Sequence, residues 1–461
     1  MANLRPPQTA TPPTYWEVFS FSLPLVLGMM TSAVETLITT AYVGRLGTAE
    51  LAAVGTAAIF FFTWVVLFLG IMRNAIAFLA RAWGAGTPQK MGPVLAQYHW
   101  LALASIPFGL ACVAGYPWLA QIGYFGPEVT TLGMAYLSIR AWDIFPFLLM
   151  VLYGALYQSM GNARFPMLIQ WLGVVLTVGL NWLLIFGHWG LPAMGVRGGA
   201  LGVLLANSIA AAVMIGFTYA GPLRSALALR PLAWPNGRQI LELLKVGVPQ
   251  GLGEFVLLGS FSLFFTIVGR LGQASLAASN IGLTVIHLLF LPAVAMGIAA
   301  SSYVGRFLGA GQPELARQSV WRMWRLGMVY LGAACLPLFF WGEAIAQLFI
   351  QDAAVVALCV VLFKWLGPLE LFDGTDIILR NALNGAGDTR LPMAAILFGN
   401  LTVFFPSAWW LAERMEPGLV GAWLGALLYS LFMAAAMAAR FHWGPWATRR
   451  LYLGDGEEST P

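Results

Sequence analysis

Glu370, Asp373, Asp376 and Arg380 lie within one otherwise apolar run. At about 100° per residue, these four side chains fall in roughly a 120° sector of one helical face. A charge at the centre of a bilayer costs about 3 kcal/mol on insertion scales, so the sector must face a partner or a wet cavity. Carboxylates held this way could exchange protons, and the same oxygens could bind Na+, a hard cation. Arg380 stands one helical turn beyond Asp376, the spacing of an i,i+4 ion pair. Two further acids interrupt apolar runs: Glu35 in the first and Glu254 in the seventh. Arg73, deep in the second run, is the expected partner of Glu35.

The elements that position these residues follow from composition. The 461-residue chain is 59% hydrophobic and 9% charged, with a mean hydropathy of +0.78. A water-soluble domain carries about 25% charged residues, so the uncharged surface here must face lipid. Spanning the hydrocarbon core takes about 20 apolar residues as helix. Twelve such runs are expected, starting near residues 17, 52, 94, 129, 166, 195, 239, 275, 318, 354, 392 and 418. The net charge of +5 sits in short connectors and forms no basic stripe with interleaved aromatics, which excludes nucleic acid as a partner. Cys112, Cys335 and Cys359 lie in apolar stretches, without the spacing of a disulfide framework or metal site.

Lys and Arg partition between the connectors. Fifteen lie after even-numbered runs or at the C-terminus, against four (Arg45, Arg197, Arg270 and Arg414) after odd-numbered runs. The positive-inside rule then puts both termini in the cytoplasm. The two halves repeat each other. Val43-Gly-Arg-Leu-Gly47 recurs at Val268–Gly272, Pro24 at Pro249, and Arg81 at Arg306, all 225 residues on. Gly161-Asn-Ala-Arg-Phe-Pro-Met167 is echoed by Gly387-Asp-Thr-Arg-Leu-Pro-Met393. The expected fold is an all-α polytopic membrane protein, with two six-helix bundles related by a pseudo-two-fold along the membrane normal. The expected parts are an N-terminal tail (1–16), an N-lobe (17–220), a proline- and arginine-containing linker (221–238), a C-lobe (239–445) and a C-terminal tail (446–461). The end of that tail, with Asp455, Glu457 and Glu458, reads as disordered.

These motifs resemble the multidrug and toxic compound extrusion family, in particular its bacterial NorM-like branch. The resemblance is carried by Pro24 followed by VGRLG, ARAWGAG at 80–86, NWLLIFGHWGLPAMGV at 181–196 and LNGAGDTRLPM at 383–393, in order over residues 17–440. It implies a secondary antiporter of the inner membrane that exports organic, often cationic compounds in exchange for H+ or Na+. It implies no cofactor. The expected partners are small-molecule substrates and membrane lipid, and the protein is expected to act as a monomer. The resemblance also gives Asp373 the cation-coupling role, from its spacing to Asp388, and makes it the position at which Na+ would be held. Glu370, Asp376, Glu254 and Glu35 are the other coupling candidates.

Two of the family's acid positions are displaced. Thr39 stands where many relatives have the first-helix aspartate, with Glu35 one turn earlier. Leu257 stands where the seventh-helix glutamate is usual, with Glu254 three residues before it. Asn181 and Thr177 match polar residues of the family's fifth helix and would complete a supporting network with Thr39 and Arg73. Three other readings compete. A flippase of lipid-linked saccharides, from the same superfamily, would call for a cationic cavity, whereas acids outnumber bases here. A membrane enzyme would need a nucleophile–base motif beside the carboxylates. A passive channel would carry no uphill transport. An ATP-driven pump would need a phosphate-cradling G-x-x-x-x-G-K-[ST] loop, which this chain lacks.

Overall fold

The computed structural model describes residues 11–123, 126–230 and 233–452. The proposals for the extreme N-terminal tail and for Asp455, Glu457 and Glu458 lie outside the described residues.

A backbone in lipid must satisfy its own polar groups, and a continuous helix does so within one segment. Among the described residues, twelve helices are long and apolar enough to cross a membrane: α1 (Tyr15–Gly44), α2 (Thr48–Gly84), α3 (Pro88–Ile122), α4 (Pro127–Ser159), α5 (Arg164–Phe186), α6 (Gly195–Ala220), α7 (Gly237–Gly269), α8 (Gln273–Gly309), α9 (Pro313–Phe340), α10 (Ala353–Gly385), α11 (Arg390–Arg414) and α12 (Gly418–Trp443). Each begins within six residues of its expected start, and no strand forms among the described residues. Large apolar side chains point outward along these helices, with Leu37, Ile59, Val175 and Val329 each about 70% exposed. In water such a surface would aggregate, whereas acyl chains cover it. The protein is a multi-pass membrane protein.

The internal repeat reappears in the lengths of three of the six helix pairs. Both α4 and α10 have 33 residues, and their first and last residues correspond 226 positions apart. Likewise α2 and α8 each span 37 residues, and α6 and α12 each 26. The chain forms two compact units. The first is centred on Pro24–Gly251 and includes the segment 221–238; the second is centred on Leu252–Arg450 and takes in the start of α1 up to Leu23. In the first unit α4 packs against α2, α3 and α6; in the second α10 packs against α8, α9 and α12.

Helix pairs close on small residues in both units. Gly421 and Gly425 of α12 lie against α11, where a Cβ would collide with the Leu411 carbonyl and the Ala408 backbone respectively. Gly198 and Gly202 of α6 meet Leu184 and Asn181 of α5 in the same way. This G-x-x-x-G spacing lets backbones approach where lipid offers no hydrophobic drive for association. Gly425→Val is therefore expected to destabilise the protein by about 3 kcal/mol, at the upper end for overpacking. The expected readout is a lower apparent melting temperature in detergent, whereas Gly332→Ala, with open space around it, leaves melting unchanged.

One element departs from regular α-helix. Asn400–Phe404 within α11 is a π-helical stretch. Pro406 follows it, and a proline both lacks a donor and displaces the carbonyl behind it, so the ladder shifts register. The Asn400 amide donates to the Ile396 carbonyl (2.8 Å) and to the Tyr429 hydroxyl of α12 (3.2 Å).

Candidate functional site

In the second unit α10 carries the charged sector. Arg380 pairs with Asp376 at 3.2 Å, both largely buried. Asp373 stands one turn earlier and accepts from the Ser430 hydroxyl of α12 at 3.3 Å. Glu254 of α7 is half-buried within electrostatic range of Asp376 and Arg380. The ring of Tyr429, fixed by Asn400 of the π stretch, lies within range of the same charges. Three carboxylates and one guanidinium thus converge, giving a formal charge of −2 when all are ionised. Glu370 is fully buried, within electrostatic range of Asp373 on its own helix and of Tyr330 and Cys335 of α9, and among the described residues neither of its oxygens has a hydrogen-bond partner.

Just past α10, Asp388 is fully buried and receives two arginines: Arg440 Nε at 2.7 Å and Arg449 Nη2 at 2.9 Å. The short turn Pro445–Thr448 accompanies them, its Trp446 buried and stacked on Phe441 at 4.7 Å between ring centroids. The corresponding Asn162 of the first half instead accepts from the Phe165 amide at the start of α5 (3.2 Å).

In the first unit the structure corrects the expected partner of Glu35. Arg73 is exposed at a break in α2, and no ion pair joins it to Glu35 among the described residues. The guanidinium that acts on Glu35 is that of Arg140 on α4, which pairs with Asp143 and lies 5.3 Å from the centre of the Phe61 ring. The other oxygen of Asp143 accepts from Asn207 of α6 at 2.9 Å. Separately, the Asn181 amide donates to Thr39 at 3.3 Å, with Thr177 buried one turn away on α5. Sequence reasoning passed over Arg140 and Asp143, although two charged residues three apart in an apolar span are themselves a signal.

The buried charges of α4 and α10 do not correspond. In the 226-residue register Asp373 aligns with Phe147, Asp376 with Met150 and Arg380 with Gly154, whereas Arg140 and Asp143 align with Leu366 and Leu369. Among the described residues no three acidic, histidine or cysteine side chains converge closely enough to hold a metal ion.

Twelve candidate spans, several with buried ionisable groups in their interiors, define a polytopic membrane protein. The family model MatE matches residues 24–183 and again 249–410, and the chain belongs to that family, the multidrug efflux transporters. The probable multidrug resistance protein NorM of Thermotoga maritima is 25% identical over 451 residues, covering 96% of this chain and 95% of its own. The multidrug resistance protein NorM of Burkholderia vietnamiensis is 29% identical over 430 residues, covering 91% and 92%. Among solved structures, the Vibrio cholerae MATE transporter VcmN in its bent form superposes with a TM-score of 0.84 at 18% identity, covering 93% of this chain and 96% of that one. A transporter of the MOP superfamily from Pyrococcus furiosus, described as having a binding pocket of reverse polarity, superposes at 0.81 and 19% identity, covering 93% and 95%.

Proposed function

We propose that this protein is a secondary antiporter of the bacterial inner membrane, with both termini in the cytoplasm, that exports amphipathic organic cations in exchange for H+ or Na+. The observation that carries this reading is the group of Asp373, Asp376 and Glu254 around the single guanidinium of Arg380. A group with surplus negative charge favours a cation, whether coupling ion or drug. Asp376 is committed to Arg380, so Asp373, with Ser430 beside it, is the carboxylate placed to exchange a cation. An ion and a drug that compete for one negative cluster exchange by differential affinity for two states of the protein.

Expression in a host without its own efflux pumps tests the reading. Wild type is expected to lower ethidium accumulation, and collapsing the driving ion gradient is expected to restore it. Collapse of the proton gradient with a protonophore and of the sodium gradient with a sodium ionophore tells the two ions apart. Unchanged accumulation of several cationic dyes would sink the cationic-drug reading and bring the lipid-linked saccharide flippase forward.

A further inference from the structure

The segment after α6 holds a site that the transport reading does not use. Gly221–Arg230 folds as a compact loop, closed by the Leu229 amide donating to the Arg224 carbonyl at 2.9 Å and the Leu227 amide to the Leu223 carbonyl at 2.9 Å. Leu227 and Leu229 are buried, anchoring the loop, and the Gly92 amide of α3 donates to the Leu227 carbonyl at 3.0 Å. With its leucines turned in, the loop turns Arg224, Ser225, Ala228 and Arg230 out. Ala228 adopts a left-handed conformation (φ 49°), a strain of about 1 kcal/mol or more that the surrounding contacts must hold. Tyr219 closes the last side by donating from its hydroxyl to the Arg230 carbonyl (3.4 Å).

These residues line a shallow, open groove of about 520 Å³. Two guanidiniums border it, and among the described residues neither forms an ion pair. No carboxylate lines it. The chemistry is that of an anion site bordered by two forked donors, which suits a phosphate.

The position of the groove selects the kind of phosphate. Ala220, the last residue of α6, is part of the wall. Leu205, Ile209, Ala212, Gly216 and Ala220 form an exposed apolar stripe at helical spacing that runs along α6 directly into the groove. Phe217, 64% exposed, flanks it. A membrane span faces acyl chains along such a stripe, and its end lies at headgroup depth. A single molecule could therefore lay its chains on α6 and its phosphate between Arg224 and Arg230.

We propose that the loop after α6 is a binding site for the headgroup of an anionic phospholipid. Basic pockets at the ends of membrane helices recognise such headgroups, and the charge partition of the connectors puts this one on the lipid-rich anionic cytoplasmic face. The proposal holds whatever the coupling ion or exported compound; it rests on the loop, on α6 and on the proposed cytoplasmic orientation of the connector.

Full-length protein in phosphatidylcholine nanodiscs, titrated with spin-labelled phosphatidylglycerol, tests the site. The expected result is a saturable immobilised component that spin-labelled phosphatidylcholine does not give. Binding should weaken roughly fivefold for Arg224→Gln or Arg230→Gln, and more for the pair, while Arg→Lys at both positions, which keeps the charge and loses the fork, retains only part of it. Both side chains are exposed, and an unchanged circular dichroism spectrum and elution volume verify that the variants are folded. Equal immobilisation of the two lipids, or full retention in the double glutamine variant, would overturn the proposal. So would displacement of the label from wild type by millimolar inorganic phosphate, which would make a soluble anion the occupant.

Discussion

Cells producing Asp373→Asn are expected to accumulate ethidium almost as cells with no exporter do, with export slowed by more than about tenfold at equal protein level. The substitution keeps the size of the side chain and its contact with Ser430 but removes the charge. A bound ion can bias a conformational equilibrium only through a difference in affinity between states, and a neutral amide gives up that difference. Asp373 is only partly buried and its removal strands no other charge, so the protein should still fold. Asp373→Glu keeps the charge with one added methylene and should retain part of the export. Export by the asparagine variant at the wild-type rate would move the search for coupling to Glu35 or Glu254.

Arg380→Gln is expected to lower stability by about 3–5 kcal/mol, because it leaves Asp376 as a buried charge without compensation. The expected signs are reduced membrane yield and an earlier melting transition in detergent. Asp376→Asn combined with Arg380→Gln removes both charges and should recover about 2 kcal/mol or more of that loss, since side chains in one ion pair are not additive. If the double variant melts as low as the sum of the single changes, Arg380 is held by something other than Asp376. Export separates the two residues further: the double variant, with Asp373 intact, should transport better than Asp373→Asn does.

Much of this architecture was legible because span length is a one-dimensional property. Twelve apolar runs were long enough to cross, and the glycine, proline and charge clusters between them marked starts to within six residues. The sector on α10 was legible for the same kind of reason, since helical periodicity alone puts Asp373, Asp376 and Arg380 on one face. What periodicity does not carry is which neighbour packs against each edge of that face. Periodicity groups Glu370 with the other acids, and packing adds Tyr330 and Cys335 of α9 to its surroundings while Asp373 stays within its electrostatic range. Arg73 was matched to Glu35 on depth alone, whereas α2 breaks beside it and Arg140 arrives from α4. Asp388 marked a motif, but its partners Arg440 and Arg449 lie 52 and 61 residues further on, beyond any local pattern.

The mismatch of charges between the halves bears on how such a chain came about. A duplicated gene begins with two identical copies, and here three of the six helix pairs keep equal lengths and the glycine contacts of α6 and α12 correspond, while the buried charges of α4 and α10 do not. Backbone geometry and ionic chemistry have therefore drifted separately, the former held by packing and the latter free to move by a turn or more. A chain assembled from two first halves would keep the helical scaffold and carry two Arg140–Asp143 pairs, with no counterpart of Asp373. Two second halves would double the acids of α10 and omit the network of Asn181 and Thr39. Parts of the helical scaffold repeat between the halves, and the chemistry of the membrane interior does not.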